Sequence, residues 1–159
     1  MPLKLGQSAP EFRLADQIGK IHTLSDYRGQ YLLIYFYPKD DTPGCTTEAC
    51  GFRDLLPKFS ESGLTVVGIS TDTSKSHEKF AAKYGLSFTL LADVEKKTVE
   101  DYGVWGKKKF MGREYMGILR TSFLCNPEGK ICKIYEQVKP ADHPSEVLRD
   151  LLVLHGSAS

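Results

Sequence analysis

The spacing of hydrophobic and polar positions changes several times along the chain, and each change marks an element. Tyr31-Leu32-Leu33-Ile34-Tyr35-Phe36-Tyr37 is an unbroken apolar run rich in aromatic and β-branched residues, the pattern of a strand buried on both faces. From about Thr42 to Phe59 the character turns helical, with Thr42 placed to be the N-cap and Pro43 at the first helical position. Leu64-Thr65-Val66-Val67-Gly68-Ile69-Ser70 predicts a second buried strand. His77, Phe80, Ala81 and Tyr84 then recur at helical spacing, with Gly85 as the terminator. Thr89-Leu90-Leu91 is a short strand, and Val94 to Tyr102 a short helix. Ile118 to Cys125 and Lys130 to Gln137, joined by the turn Asn126-Pro127-Glu128-Gly129, read as a β-hairpin. Val147, Leu148, Leu151 and Leu152 make a last amphipathic helix, and near the start Phe12–Leu14 and Ile21–Leu24 flank Asp16-Gln17-Ile18-Gly19 as a small hairpin.

Strand, helix, strand, helix, then a closing hairpin and helix imply an α/β protein: one domain over residues 1–159, with a mixed central sheet covered by helices on both faces. In such sheets reactive groups gather beyond the carboxyl ends of the strands, where the next helix begins. That points to the turn between Tyr37 and Cys50.

Charge narrows the function classes. Twenty-one Lys and Arg stand against 20 Asp and Glu, a net charge of +1. Neither phosphate backbones nor anionic lipid surfaces attract a chain without a basic excess. No apolar stretch approaches the roughly 20 residues that span a bilayer, and the first residues lack the apolar core of a secretory signal. A cytoplasmic location is expected. Four cysteines, Cys45, Cys50, Cys125 and Cys132, are too few for a small secreted disulfide scaffold. In a reducing compartment paired cysteines are more often catalytic, redox-active or metal-bound than structural.

The stretch Pro38-Lys39-Asp40-Asp41-Thr42-Pro43-Gly44-Cys45 continues through Thr46-Thr47-Glu48-Ala49 to Cys50. With Thr42 as cap, Cys45 falls in the first helical turn, where unpaired N–H groups and the positive end of the helix dipole favour an ionised sulfur. Gly44 has no side chain to screen it, and the Thr42 hydroxyl lies a turn away. On a regular helix Cys45 and Cys50 lie about 140° apart in azimuth, with Cα atoms roughly 8.7 Å apart, beyond the ~7 Å limit for a disulfide. A bridge would need the helix start to unwind. The two thiols are either unrelated, or an attacking and a resolving pair that meet after local melting. No second cysteine or histidine pair sits at zinc-ligand spacing, and the CxxC motif of a thioredoxin-type oxidoreductase is absent.

Pro38-x-x-x-Thr42-x-x-Cys45 resembles the active-site signature of peroxiredoxins, and Gly-Cys-Thr-Thr-Glu-Ala-Cys ending at Cys50 is similar to the peroxiredoxin Q, or bacterioferritin comigratory protein, subfamily. The likeness extends to Ala9-Pro10-Glu11-Phe12, to Gly68-Ile69-Ser70 and to Arg120-Thr121-Ser122-Phe123-Leu124. It implies a thioredoxin-like fold with an N-terminal β-hairpin extension. The implied activity is a thiol peroxidase acting on hydrogen peroxide and organic hydroperoxides, without a cofactor or metal. Cys45 matches the peroxidatic cysteine, Thr42 the hydroxyl that contacts peroxide, Pro38 the shield of the thiolate and Arg120 the guanidinium beside it. Gly44 and Cys45 complete the substrate-binding set. Cys50 matches the resolving cysteine, whose disulfide with Cys45 thioredoxin or a similar dithiol protein reopens. A monomer is expected rather than a dimer.

Other residues have milder readings. Cys125 and Cys132 flank the hairpin turn; with Cys125 facing Lys130 they would share a sheet face as diagonal neighbours, and a role as small core residues is expected. His22, His77, His143 and His155 have no metal-type pairing and suit surface or capping positions. Lys107-Lys108-Lys109 suits a solvated loop, with Trp105 and Phe110 either bordering the site or packed as core or lid. Asp40, Asp41 and Glu48 form a possible carboxylate cluster; helix-start electrostatics accounts for Glu48 and a turn for the aspartates. The functional rivals are a general thiol–disulfide oxidoreductase and a redox-sensing interaction protein switched by the Cys45/Cys50 pair.

Overall fold

A computed structural model describes residues 3–157. The small N-terminal hairpin forms as β1 (Arg13–Ala15) and β2 (Ile21–Thr23), turning where Gly19 takes φ +87°. The long apolar run becomes β3 (Tyr31–Phe36), followed by α1 (Pro43–Glu61), β4 (Leu64–Ser70), α2 (Ser74–Tyr84) and β5 (Thr89–Ala92). Then come α3 (Lys97–Asp101), β6 (Trp105–Phe110), β7 (Arg113–Ile118), β8 (Thr121–Cys125), β9 (Ile131–Tyr135) and α4 (His143–Ser157).

Seven strands form one sheet in the order β2-β1-β5-β4-β3-β8-β9. β3, β4 and β5 run parallel, linked through α1 and α2, while β8 and β1 join antiparallel. Alternation along β3 divides the core. Leu33, Tyr35 and Tyr37 meet residues of α1, α2 and α4 on one face. Leu32, Ile34 and Phe36 meet α3, Tyr102, Val104 and the N-terminal segment on the other. α2 shows both expected end signals: the Thr73 hydroxyl accepts from the Ser76 N–H, and Gly85 closes the helix in the left-handed region at φ +63°.

Register explains the placement of the site. In the β3/β8 pair Phe36 opposes Thr121, so the residue entering β8, Arg120, is brought beside the chain leaving β3 for α1. The antiparallel pairing alone brings the two regions together.

Several expectations are corrected. The stretch from Ile118 to Cys125 is not one strand: Ile118 ends β7, Leu119 and Arg120 break the run, and β8 starts at Thr121. Of residues 94–102 only Lys97–Asp101 are helical. Lys107-Lys108-Lys109 lies in a strand, since β6 and β7 form a separate two-stranded sheet. Cys125 pairs with Ile131, not Lys130, because a bulge shifts the β8/β9 register. The bulge puts the sulfurs on opposite faces: Cys125 joins the core with Leu32, whereas Cys132 packs against the helical side. The diagonal pairing of these thiols therefore fails.

Candidate active site

Thr42 is the N-cap of α1 and Pro43 its first residue, but the Thr42 side chain does not cap; its hydroxyl donates to the Lys39 carbonyl at 2.9 Å. Cys45 follows in the first turn and is 1% exposed. Cys50 lies further along the same helix, half-buried, and both are free thiols. Pro38 is half-buried in the bend after β3.

Arg120 reaches this turn across 75 residues of sequence. Its Nη2 donates to the Cys45 sulfur at 3.1 Å and its Nη1 to Glu48 Oε1 at 3.2 Å. The planar fork of a guanidinium suits this double task, since two N–H groups point in fixed directions and the charge cannot be lost. Gly44 makes the approach possible: a Cβ there would lie 2.8 Å from Arg120 Nη2.

Glu48 is not explained by helix-start electrostatics. It is 1% exposed, and burial pushes its carboxyl up to about 8, opposed only in part by Arg120. Below that pH the carboxyl is mainly neutral, and the guanidinium charge is left to the sulfur. Lys108 lies close enough to be affected: burial first, then the Arg120 charge, holds its ammonium below the usual range, while Cys45 acts in the opposite direction. Its Nζ donates to the Ile118 carbonyl at 2.9 Å. Beside Arg120 opens a cavity of about 530 Å³, with Lys108, Tyr102, Leu119 and Phe123 among its walls.

The aspartates of the preceding turn separate. Asp41 is exposed and holds Lys83 and Tyr84. Asp40 is buried and accepts from the Tyr37 hydroxyl at 2.6 Å and the Ser76 hydroxyl at 2.7 Å, and faces His77 Nδ1 at 2.7 Å. Asp40, Asp72 and His77 bring one donor atom each within 4.8 Å of one another. Those atoms are already engaged: Asp72 Oδ2 takes the Asp40 N–H and the Ser70 hydroxyl, and His77 Nε2 faces the Leu91 carbonyl. Among the described residues the trio is a brace for the turn from Tyr37 to Asp41.

The histidines depart from the surface expectation. His77 and His143 are fully buried; His143 Nε2 meets the Ser122 hydroxyl at 2.8 Å. His22 is partly buried against Asp16. The His155 side chain lies outside the described residues. Trp105 packs against the core, while Phe110 is exposed. Sequence reasoning missed Glu48 as the partner of Arg120, although it sits three residues after Cys45, a spacing that shares a helix face.

The family model for AhpC/TSA matches residues 5–134, and the chain belongs to that family. Within it the chain is a peroxiredoxin of the Bcp or peroxiredoxin Q type. It is 47% identical over 151 residues to "Peroxiredoxin Bcp" of Bacillus subtilis (strain 168), covering 95% of this chain and 96% of that one. A peroxiredoxin Q mutant from Xylella fastidiosa superimposes with a TM-score of 0.92 at 36% identity, covering 98% of this chain and 99% of that one. The bacterioferritin comigratory protein of Xanthomonas campestris, described for its alkyl peroxide reduction activity, gives 0.84 at 39% identity over 89% and 90% of the two chains. The fold is thioredoxin-like.

Proposed function

We propose that the protein, acting as a single domain, is a thiol-dependent peroxidase that reduces hydrogen peroxide and organic hydroperoxides through Cys45. The observation that carries this reading is the Arg120 Nη2 contact with the Cys45 sulfur, 3.1 Å, at the N-terminus of α1. Attack of a thiolate on a peroxide O–O bond moves negative charge from sulfur to the departing oxygen. Fixed N–H donors on that path stabilise the charge without reorganising. Arg120 Nη2 is one such donor, and the first turn of α1 adds its free backbone N–H groups. The Thr42 hydroxyl, whose proton goes to the Lys39 carbonyl, offers its oxygen as an acceptor to the peroxide, and Pro38 and Gly44 wall the approach.

The departing alkoxide or hydroxide takes up a proton, leaving Cys45 as a sulfenic acid, the reversible rung of thiol oxidation. The Cys50 thiolate attacks that sulfur, expels hydroxide and forms the Cys45–Cys50 disulfide before a second peroxide can act. Both residues lie in one regular helix, where Cα atoms five apart are roughly 8.7 Å apart. The helix start therefore unwinds in each cycle, and Gly51 lowers the local cost of doing so. Thioredoxin or a similar dithiol protein then reopens the disulfide by exchange. No cofactor enters the cycle. A monomer working in the cytoplasm fits this cycle, and among the described residues no helix is long and apolar enough to cross a membrane.

Stopped-flow peroxide consumption tests the assignment. Cys45→Ser should abolish it, and Cys50→Ser should allow one turnover and then stall unless a small thiol is present. Full multi-turnover activity of Cys50→Ser with thioredoxin would remove the resolving role. A redox sensor would be oxidised once without consuming further equivalents, and a general oxidoreductase would reduce disulfides in the absence of peroxide.

A further inference from the structure

From the hairpin of β6 and β7 we infer a docking surface for the protein that reduces the oxidised enzyme: an acidic dithiol protein whose reactive thiol is rimmed by apolar residues. The inference rests on the peroxidase reading and adds to it the place where the reductant binds.

Exposed apolar side chains are concentrated here. Of eleven large hydrophobic residues exposed among the described residues, five (Phe110, Met111, Tyr115, Met116 and Leu119) fall within ten positions of sequence. Isolated exposed apolar residues are ordinary, but here Phe110 and Met111 stand together at the tip while Tyr115 and Met116 expose one apolar side chain on each face of the ribbon, a concentration that suits an interaction site. The types are also those enriched in interface cores, aromatic residues and methionine.

The turn strengthens this reading. Met111 and Gly112 have φ of +51° and +80°, the paired positive values of a two-residue type I′ turn. The first of those positions normally goes to Asn, Asp or Gly, because a β-carbon is disfavoured there. Here it carries Met, 88% exposed. Local turn preference and solvation both argue against that residue, so the folding of the chain alone does not account for it.

Charge identifies the occupant. The hairpin carries Lys107, Lys108, Lys109 and Arg113 against Glu114 alone, leaving 17 cationic and 19 anionic side chains in the rest of the chain. The local excess steers an acidic protein that touches the hairpin. An anionic bilayer facing a wider area meets the acidic remainder as well, which disfavours a lipid surface.

Position connects the surface to the chemistry. Among the described residues the hairpin pairs only with itself, and its second strand leads through Leu119 directly into Arg120, which contacts the Cys45 sulfur. Leu119 is tied back by its N–H to the Val104 carbonyl at 2.7 Å. The glycines Gly106 and Gly117 face each other across the ribbon; Cβ atoms there would come within 3.0 Å of Leu119 and 3.1 Å of Lys108. Their absence lets both side chains lie flat towards the site. A partner seated on the hairpin can thus bring a thiolate to one sulfur of the Cys45–Cys50 disulfide. The other sulfur leaves as a thiolate; the second thiol of the partner then displaces the first, releasing reduced enzyme and oxidised partner.

The test compares two reductants. Phe110→Ser/Met111→Asn removes the apolar tip while giving the turn a residue suited to it, and Lys107→Glu/Lys109→Glu reverses charge; none of these residues belongs to the catalytic set. With an acidic bacterial thioredoxin, KM for the reductant should rise at least tenfold in each variant, and the wild-type KM should rise with added salt. Turnover supported by dithiothreitol should stay within twofold of wild type. Unchanged KM for thioredoxin, or an equal loss with both reductants, overturns the docking surface. Wild-type turnover with dithiothreitol but none with thioredoxin overturns it also. Absence of peroxide consumption with either reductant instead removes the peroxidase reading. Sedimentation of wild type, but not the variants, with phosphatidylglycerol vesicles would reassign the hairpin to a membrane surface.

Discussion

Arg120 is the side chain on which the site depends, because one guanidinium serves both the sulfur and Glu48. Replacing it by Gln keeps a donor but removes charge and one arm of the fork. The second-order rate with hydrogen peroxide is expected to fall about 100- to 1,000-fold, as for loss of a principal anion-stabilising donor. Lys should rescue little, since a single ammonium cannot keep both directions. A fall of less than tenfold in stopped-flow oxidation would remove the role. Tyr35 offers the opposite case. Its hydroxyl is buried without a hydrogen-bond partner among the described residues, packed where a Cβ on Gly68 would lie 2.9 Å from it, and its ring stacks on Phe52 at 4.7 Å. Tyr35→Phe keeps the stack and deletes the unpaired group, and should stabilise the protein by about 1 kcal/mol, read as a rise in melting temperature of roughly 2–4 °C. A clear loss of stability would mean that the hydroxyl does have a partner.

At the scale of elements, legibility followed how local the cause was. β3, β4 and α1 were readable because their signals lie within a few residues: a continuous apolar run, then Thr42 and Pro43 at a helix start. β6 was not, because Lys107-Lys108-Lys109 in a surface ribbon has no buried face and so no hydrophobic period to read. His77 and His143 looked like surface positions because the partners that pay for their burial, Asp40 and Ser122, are 37 and 21 residues away. Arg120 was found only through resemblance; nothing near it in sequence announces Cys45. Contact between α1 and α4 is a further long-range feature, and it gives a prediction. A Cβ on Gly51 would lie 2.7 Å from Pro144 Cγ, and neither the helix nor the rigid proline ring yields easily. Gly51→Ala gains up to about 1 kcal/mol in helix propensity but overpacks the contact by ~1–3 kcal/mol. The net effect should be a modest loss of stability in urea unfolding. Adding Pro144→Ala should recover it; a single variant more stable than wild type would show that the helices can separate freely.

For the molecule as a whole, two buried groups give stability opposite dependences on pH. Glu48 ionises near 4.5 in the unfolded chain but is held up to about 8 when folded, because burial disfavours its charge. Its contribution is complete below the unfolded value and is lost as pH rises from there through about 8, a change on the order of 3–5 kcal/mol. His143 shows the reverse sign. Burial holds its imidazole below its ordinary value of 6.5, although Glu146 and Asp150 on its own helix pull it up. As pH falls below 6.5 the unfolded chain takes up a proton that the folded one resists, so stability drops on the acid side. Urea unfolding across pH 5 to 9 should therefore show Glu48→Gln removing the fall in stability between pH 5 and about 8, and His143→Asn removing the loss below about 6.5. Curves for either variant running parallel to wild type would overturn that assignment. The Glu48 limb also links stability to chemistry: the proton that favours the fold at neutral pH keeps a second anion away from Arg120. Above about pH 8 the ionised carboxylate competes with the sulfur for that guanidinium, and oxidation of Cys45 should gain less from rising pH in wild type than in Glu48→Gln.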